Sequence, residues 1–149
     1  MSDAMLVDAN ILLDAVDGNS PFHAAGRDWI EEALNGPRRI GLPWQSLTAF
    51  LRIATNPRAM SNPLSPADAW RVVESWLDAP YTWVPEPGLG HREILGRLIQ
   101  DLHLSAKLIP DAALAAICIE HGLTIVSADS DFGRFTEVNW INPVVPPRS

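Results

Sequence analysis

The sequence predicts an α/β domain in three layers, a central parallel sheet of four or five strands with helices on both faces. Three observations lead there. Apolar, strand-like runs at 5–8, 39–43, 81–84, 123–127 and 138–141 alternate with longer stretches of helical periodicity. The runs are mostly too far apart for hairpins, so successive strands must be joined by crossovers, and crossovers make parallel pairs. Finally, 149 residues with 47% apolar content are enough for one domain whose core needs no disulfide or structural metal.

Taken in order, residues 5–8 form a short buried strand that passes directly into a helix over 10–16. The next helix is expected to start at Ser20-Pro21, a hydroxyl cap followed by proline at the first helical position, and to stop near Asn35-Gly36. A strand over 39–43 leads into a helix over 44–55, where Leu47, Phe50, Leu51 and Ala54 recur at helical spacing before the turn at Asn56-Pro57. Ser65-Pro66-Ala67-Asp68 opens a capped helix to about residue 78. After the strand at 81–84 the chain is broken at 85–90, and Ile94, Leu95, Leu98 and Ile99 mark a helix over 91–102. Pro110 is expected to open an almost wholly apolar helix that Gly122 ends. The strand at 123–127 follows at once, and 138–141 is the last. The proline-rich residues 143–149 read as an irregular tail, leaving 1–142 as the domain.

Composition narrows the function classes. Eleven basic against eighteen acidic residues give a net charge of -7, which disfavours binding a polyanion through one broad basic face. A nucleic acid would have to be held locally, by metal or by arginines such as Arg38, Arg39, Arg52 and Arg58. Cys118 has no partner for a bridge and lies inside an apolar run, as a small core residue of a reducing compartment would. Most of the six tryptophans are expected in the core. The first residues lack a secretory pattern, and no apolar run approaches the roughly 20 residues of a membrane helix, so a cytoplasmic location without membrane contact is expected.

The chemistry lies in the aspartates. Asp8 closes the first strand, Asp129 and Asp131 follow the strand at 123–127, and Asp111 stands near the head of the apolar helix. Open α/β sheets gather ligands at the carboxyl ends of their strands, so these acids should converge. Two carboxylates about 4 Å apart repel by roughly 4 kcal/mol at an effective dielectric near 20, which a divalent cation would offset. Each acid alone also has a structural reading. Asp8 could cap its helix, Asp111 could favour a helix dipole, and Asp129 could make a turn. Three independent caps, however, need not come from the ends of two strands and one buried helix.

With these residues, the chain resembles the PIN-domain ribonucleases, and among them the VapC toxins of prokaryotic toxin–antitoxin pairs. The resemblance spans nearly the whole length. It is carried by Leu6-Val7-Asp8-Ala9-Asn10, by Pro43-Trp44 with the stretch Phe50-Leu51-Arg52-Ile53-Ala54-Thr55-Asn56-Pro57-Arg58, and by Pro110-Asp111-Ala112-Ala113-Leu114-Ala115-Ala116. Ser127-Ala128-Asp129-Ser130-Asp131-Phe132-Gly133-Arg134-Phe135, followed by Trp140-Ile141-Asn142-Pro143, is the sharpest match. The resemblance implies a PIN-like fold and a metal-dependent endoribonuclease. Asp8, Asp111 and Asp129 match the family's metal-binding acids, and Asp131 matches an acid acting directly or through water on one or two Mg2+ or Mn2+ ions. It also implies an RNA substrate, a homodimer and inhibition by a small VapB-like antitoxin. Carboxylates and waters suit such hard cations. Asn10 and Ser127 beside the acids could orient waters or phosphate oxygens, or simply serve the helix entry and strand end. His91 could touch phosphate or base, or be an ordinary helix-start histidine.

One departure stands out. Many PIN domains carry a glutamate in the helix after the second strand, but residues 42–57 contain no acid, and Gln45 is the nearest polar candidate. An amide oxygen can coordinate Mg2+ yet brings no charge. A catalytically weak or inactive domain that binds antitoxin or RNA is therefore the alternative. Two other classes fit worse. A haloacid-dehalogenase-type phosphatase needs a second Asp two residues after Asp8, where Asn10 stands, and a receiver domain needs a lysine near its last strand, whereas Lys107 is the only lysine.

Overall fold

The computed structural model describes residues 4–145. Five strands form one sheet: β1 (Met5–Val7), β2 (Ile40–Gly41), β3 (Thr82–Trp83), β4 (Thr124–Val126) and β5 (Trp140–Ile141). Their order is β3-β2-β1-β4-β5 and every pair is parallel. The expected strands are all present, shorter than the apolar runs that announced them, and the expected fold class is the observed one. Among the described residues six α-helices complete the layers: α1 (Ala9–Val16), α2 (His23–Leu34), α3 (Trp44–Ala54), α4 (Pro66–Leu77), α5 (His91–Asp101) and α6 (Leu108–His121).

The two-residue period of β1 divides the core. Leu6 faces one side with Ile125, where α5 and α6 supply Leu98, Leu114, Ala115 and Cys118. Met5 and Val7 face the other with Val126, against Leu12 of α1, Ile30 of α2, Phe50 of α3 and Trp76 of α4. Because β1 and β4 are covered on both faces, they are apolar apart from the partly exposed Thr124 at the start of β4, and the next polar residues stand just beyond their carboxyl ends. Asp8 and Ser127 occupy those positions.

Several local signals act as read. The Ser65 hydroxyl accepts from Asp68 N–H at 3.1 Å, with Pro66 behind it. Gly122 ends α6 at φ 70°, and Leu123 N–H returns to the Cys118 carbonyl at 2.8 Å. Cys118 is buried, and burial pushes its thiol up to about 12. Three expectations need correction. Ser20-Pro21 does not begin α2, which starts at His23: the Ser20 hydroxyl donates to Asp14 at 2.8 Å, fastening the loop to α1, and accepts from Phe22 N–H at 3.1 Å, closing a turn just ahead of the helix. Pro110 does not open α6, which starts two residues earlier; proline is tolerated there because first-turn N–H groups have no partner within the helix. The tryptophans are mostly not enclosed. Only Trp76 is buried, Trp29, Trp83 and Trp140 are partly covered, and Trp44 and Trp70 are exposed.

The first residues of the expected tail form a turn, but Val144 is buried in the core beside Val126, so the chain is anchored beyond β5. Residues 146–149 lie outside the described residues, as do residues 1–3. No helix among the described residues is long and apolar enough to cross a membrane.

Candidate metal centre

The carboxyl ends of β1 and β4, neighbours at the middle of the sheet, set the site. Asp8 leaves β1 in extended conformation and caps α1, its Oδ1 accepting from Ala9 N–H at 2.8 Å. Its Oδ2 accepts from the Ser127 hydroxyl at 2.7 Å and from Asn10 Nδ2 at 3.3 Å. A carboxylate offers about four lone-pair directions, so three bonds leave Asp8 one further acceptor direction. The fully buried Ser127 is the hub: its oxygen also accepts from Asn10 Nδ2 at 3.1 Å and from Asp129 N–H at 3.0 Å. Asn10 Oδ1 accepts from Ala128 N–H at 3.1 Å, and the Trp140 indole donates to the Ser127 carbonyl at 2.9 Å. Asn10 and Ser127 thus tie the end of β1 to the end of β4 and orient Asp8.

From β4 the chain enters a 3-10 turn (Ser130–Arg134) capped by Asp129, whose Oδ1 accepts from Asp131 N–H at 2.9 Å. Asp111 arrives from the first turn of α6. One oxygen atom from each of Asp111, Asp129 and Asp131 can be chosen so that all three lie within 4.8 Å of one another. Asp8 lies close enough for its charge to act on Asp111.

Asp8 and Asp111 resist ionisation for the expected reason. Burial pushes the Asp8 carboxyl above its usual range, against the hydrogen bonds from Ser127 and Ala9, and the Asp129 charge adds to the rise. Asp111 is pushed up to about 6, first by burial and then by the negative charges of Asp129, Asp8 and Asp131, with Lys107 opposing. No hydrogen-bond donor among the described residues reaches the Asp111 carboxylate. Hard, charged oxygen donors that are close and partly dehydrated, with Asp111 left without a donor, suit a divalent cation. The donor set therefore fits a hard divalent cation.

The other candidates lie elsewhere or do something different. Gln45 reaches α6, but its Nε2 donates to the Pro110 carbonyl at 2.9 Å, bracing α3 against the turn that carries Asp111. His91 is not with the acids. It begins α5 beside Glu120, close to the opposite end of α6, where its Nδ1 is buried without a partner. Two cations that sequence reasoning passed over do belong to the rim. Lys107 Nζ stands 3.7 Å from Asp131 Oδ2, and Arg134 Nη2 donates to Asp131 Oδ1 at 3.1 Å. For Arg134 the signal was its spacing three residues after Asp131; for Lys107, which meets Asp131 from far along the chain, the sequence carried none.

A parallel sheet in this order with acids at its carboxyl edge is the arrangement of a PIN domain, and the PIN domain family model matches residues 5–138. The chain belongs to the PIN domain family. It is 42% identical over 138 residues to Ribonuclease VapC37 of Mycobacterium tuberculosis, covering 93% of this chain and 96% of that one. With Ribonuclease VapC33 of the same species it shares 38% identity over 140 residues, 94% of this chain and 98% of the relative. The fold matches the solved VapBC2 of Rickettsia felis bound to a promoter DNA fragment, at a TM-score of 0.68 and 12% identity over 93% of this chain and 98% of that one. VapBC-1 of nontypeable Haemophilus influenzae gives a TM-score of 0.65 at 12% identity, over 93% and 97%.

Proposed function

We propose that the protein is a VapC-type endoribonuclease toxin that cleaves RNA phosphodiester bonds with Mg2+ or Mn2+. The observation that carries this reading is the cluster of Asp111, Asp129 and Asp131, joined by Asp8, at the sheet edge of a chain 42% identical to a ribonuclease. In this reading Asp8, Asp111 and Asp129 hold one or two cations. A bound cation would supply Lewis-acid chemistry, polarising the phosphate and easing deprotonation of an attacking water. Asn10 and Ser127 keep Asp8 oriented. Asp131 completes the cluster and holds Lys107 and Arg134 at its rim, two cations suited to a substrate phosphate on a chain otherwise acidic.

The partner reading follows from the same charges. A small VapB-like antitoxin that places an Arg or Lys among Asp8, Asp111 and Asp129 would satisfy the carboxylates a cation needs, and inhibition in the cytoplasm by such a peptide on a homodimer is the arrangement we propose. Gln45 favours the second reading, a weak or inactive domain, because the amide stands where an acid is expected and is engaged with Pro110. Sequencing the RNA ends produced by the purified protein with Mg2+ separates the two. Discrete new ends that vanish in EDTA support the nuclease, while intact RNA with retained antitoxin binding supports the scaffold.

A further inference from the structure

Trp44 exposes 43% of its surface at the sheet edge that carries the acids. It is the first residue of α3, directly beyond the carboxyl end of β2. There it lines an open groove of about 420 Å³ with Pro43, Pro85, Glu86, Pro87 and Ile117. Gln45 shares that groove and donates to the carbonyl of Pro110, the residue before Asp111, so groove and acids adjoin around the first turn of α6. From Asp111 to Ile117 the helix advances about 9 Å. A stacked strand covers that distance in two or three nucleotides, at about 3.4 Å each.

The lining is rigid. Three proline rings have fixed backbone torsions. The far wall is fastened to α6, where the His121 ring nitrogen Nε2 lies 2.7 Å from the Glu86 carbonyl oxygen and the Glu120 carboxylate accepts from Gly88 and Gly90 N–H at 2.8 and 2.9 Å. Glu86 is the only charged group among the lining residues. A carboxylate repels phosphate but accepts from exocyclic amino groups such as cytosine N4, so the groove suits a base and not the backbone that joins it to the next.

We propose that Trp44 is a stacking platform for one unpaired base near the scissile phosphate, with Glu86 accepting from that base's amino group. The proposal rests on the ribonuclease reading and adds a specificity subsite to it. Aromatic faces commonly receive splayed bases of single-stranded RNA in this manner.

The test uses the full chain with Mn2+ and short single-stranded RNA oligonucleotides in which the fluorescent base 2-aminopurine replaces one position at a time. Wild type should quench the probe at one position, about two or three nucleotides from the cut. Trp44→Ala should abolish that quenching and raise KM about tenfold or more, with a smaller fall in kcat, while Trp44→Phe should keep most of both. Glu86→Gln should change which base is preferred at that position. Unchanged KM and quenching in Trp44→Ala overturn the proposal. So does a Trp44→Ala protein that cleaves as wild type and loses only its binding to the product of the adjacent reading frame, since Trp44 would then anchor a protein. If wild type itself cuts no RNA with Mn2+, the ribonuclease reading fails and this subsite falls with it, whereas an active wild type with an indifferent Trp44→Ala removes the subsite alone.

Discussion

Two carboxylates on α6 show how one helix can serve chemistry at one end and stability at the other. Asp111 and Glu120 stand about 13 Å apart along its axis. Asp111, in the first turn, faces other acids, has no donor, and is pushed up to about 6 by burial and neighbouring charge. Glu120, in the last turn, accepts two backbone N–H bonds from Gly88 and Gly90, and its carboxyl is held below the usual range, first by the Gly88 bond. Residue type and helix are the same in kind, but the surroundings are opposite. An acid that stabilises the fold is given donors, whereas an acid left short of them in a crowd of like charge is poised for a cation.

The largest expected effect breaks the poised end. Asp129→Asn, or Asp8→Asn, should reduce RNA cleavage by more than the roughly 10- to 100-fold typical of residues behind a metal ligand. The fold should persist, and the melting temperature in metal-free buffer should rise because one of several mutually repelling charges is gone. A cleavage assay with EDTA and Mn2+ controls, beside circular dichroism melts, checks both parts. Wild-type cleavage by Asp8→Asn, or by the wild type in EDTA, would sink the mechanism.

The two ends should also differ in the sign of their pH dependence. Asp111 rises from 3.8 in the unfolded chain to about 6 in the folded one, so between those values the native state holds more protons. Without metal, its contribution should therefore lower stability as pH rises from about 4 to 6, by about 1 kcal/mol once solvent screening of this partly exposed group is allowed for. Asp111→Asn should flatten that slope, and Mn2+ should bind more weakly as pH falls through 6 because protons compete for the same oxygens. Glu120 has the opposite sign. Its depressed folded value stabilises above 4.5, and that contribution is lost as pH falls below it through the folded value. Melts against pH in EDTA, with each variant in turn, resolve the two slopes.

A smaller effect tests the satisfied end directly. Glu120→Gln keeps an acceptor but loses the charge, so the melting temperature should fall modestly while Mn2+ affinity and catalysis at saturating RNA stay as in wild type. A large loss of Mn2+ binding in this variant would mean that the two ends of α6 are not independent. The smallest expected change is at Gln45. Gln45→Glu adds a hard anionic oxygen beside the first turn of α6 but gives up the bond to the Pro110 carbonyl, so Mn2+ affinity should rise only a few-fold by calorimetric titration. Unchanged affinity would place that side chain outside the cation's reach.

What the sequence by itself determined follows from short-range physics. Ser65-Pro66 and Gly122 start and stop helices through bonds within a few residues, and buried parallel strands must be apolar, so Asp8 and Ser127 could only mark the ends of β1 and β4. The convergence of aspartates was legible for the same reason, since strand ends in such a sheet share one edge. Other features were decided by the tertiary structure. Ser20 has the chemistry of a cap, but its hydroxyl closes a turn on Phe22 ahead of α2 and donates to Asp14 of α1. His91 has the chemistry of a site residue, but the loop at 85–90 carries it towards the far end of α6. Gln45 meets Pro110, and Lys107 meets Asp131, across separations no periodicity encodes. Local rules specify which groups a residue offers; which partner accepts them depends on how the layers pack, because hydrogen bonds and ion pairs act over a few ångströms and only packing sets those distances.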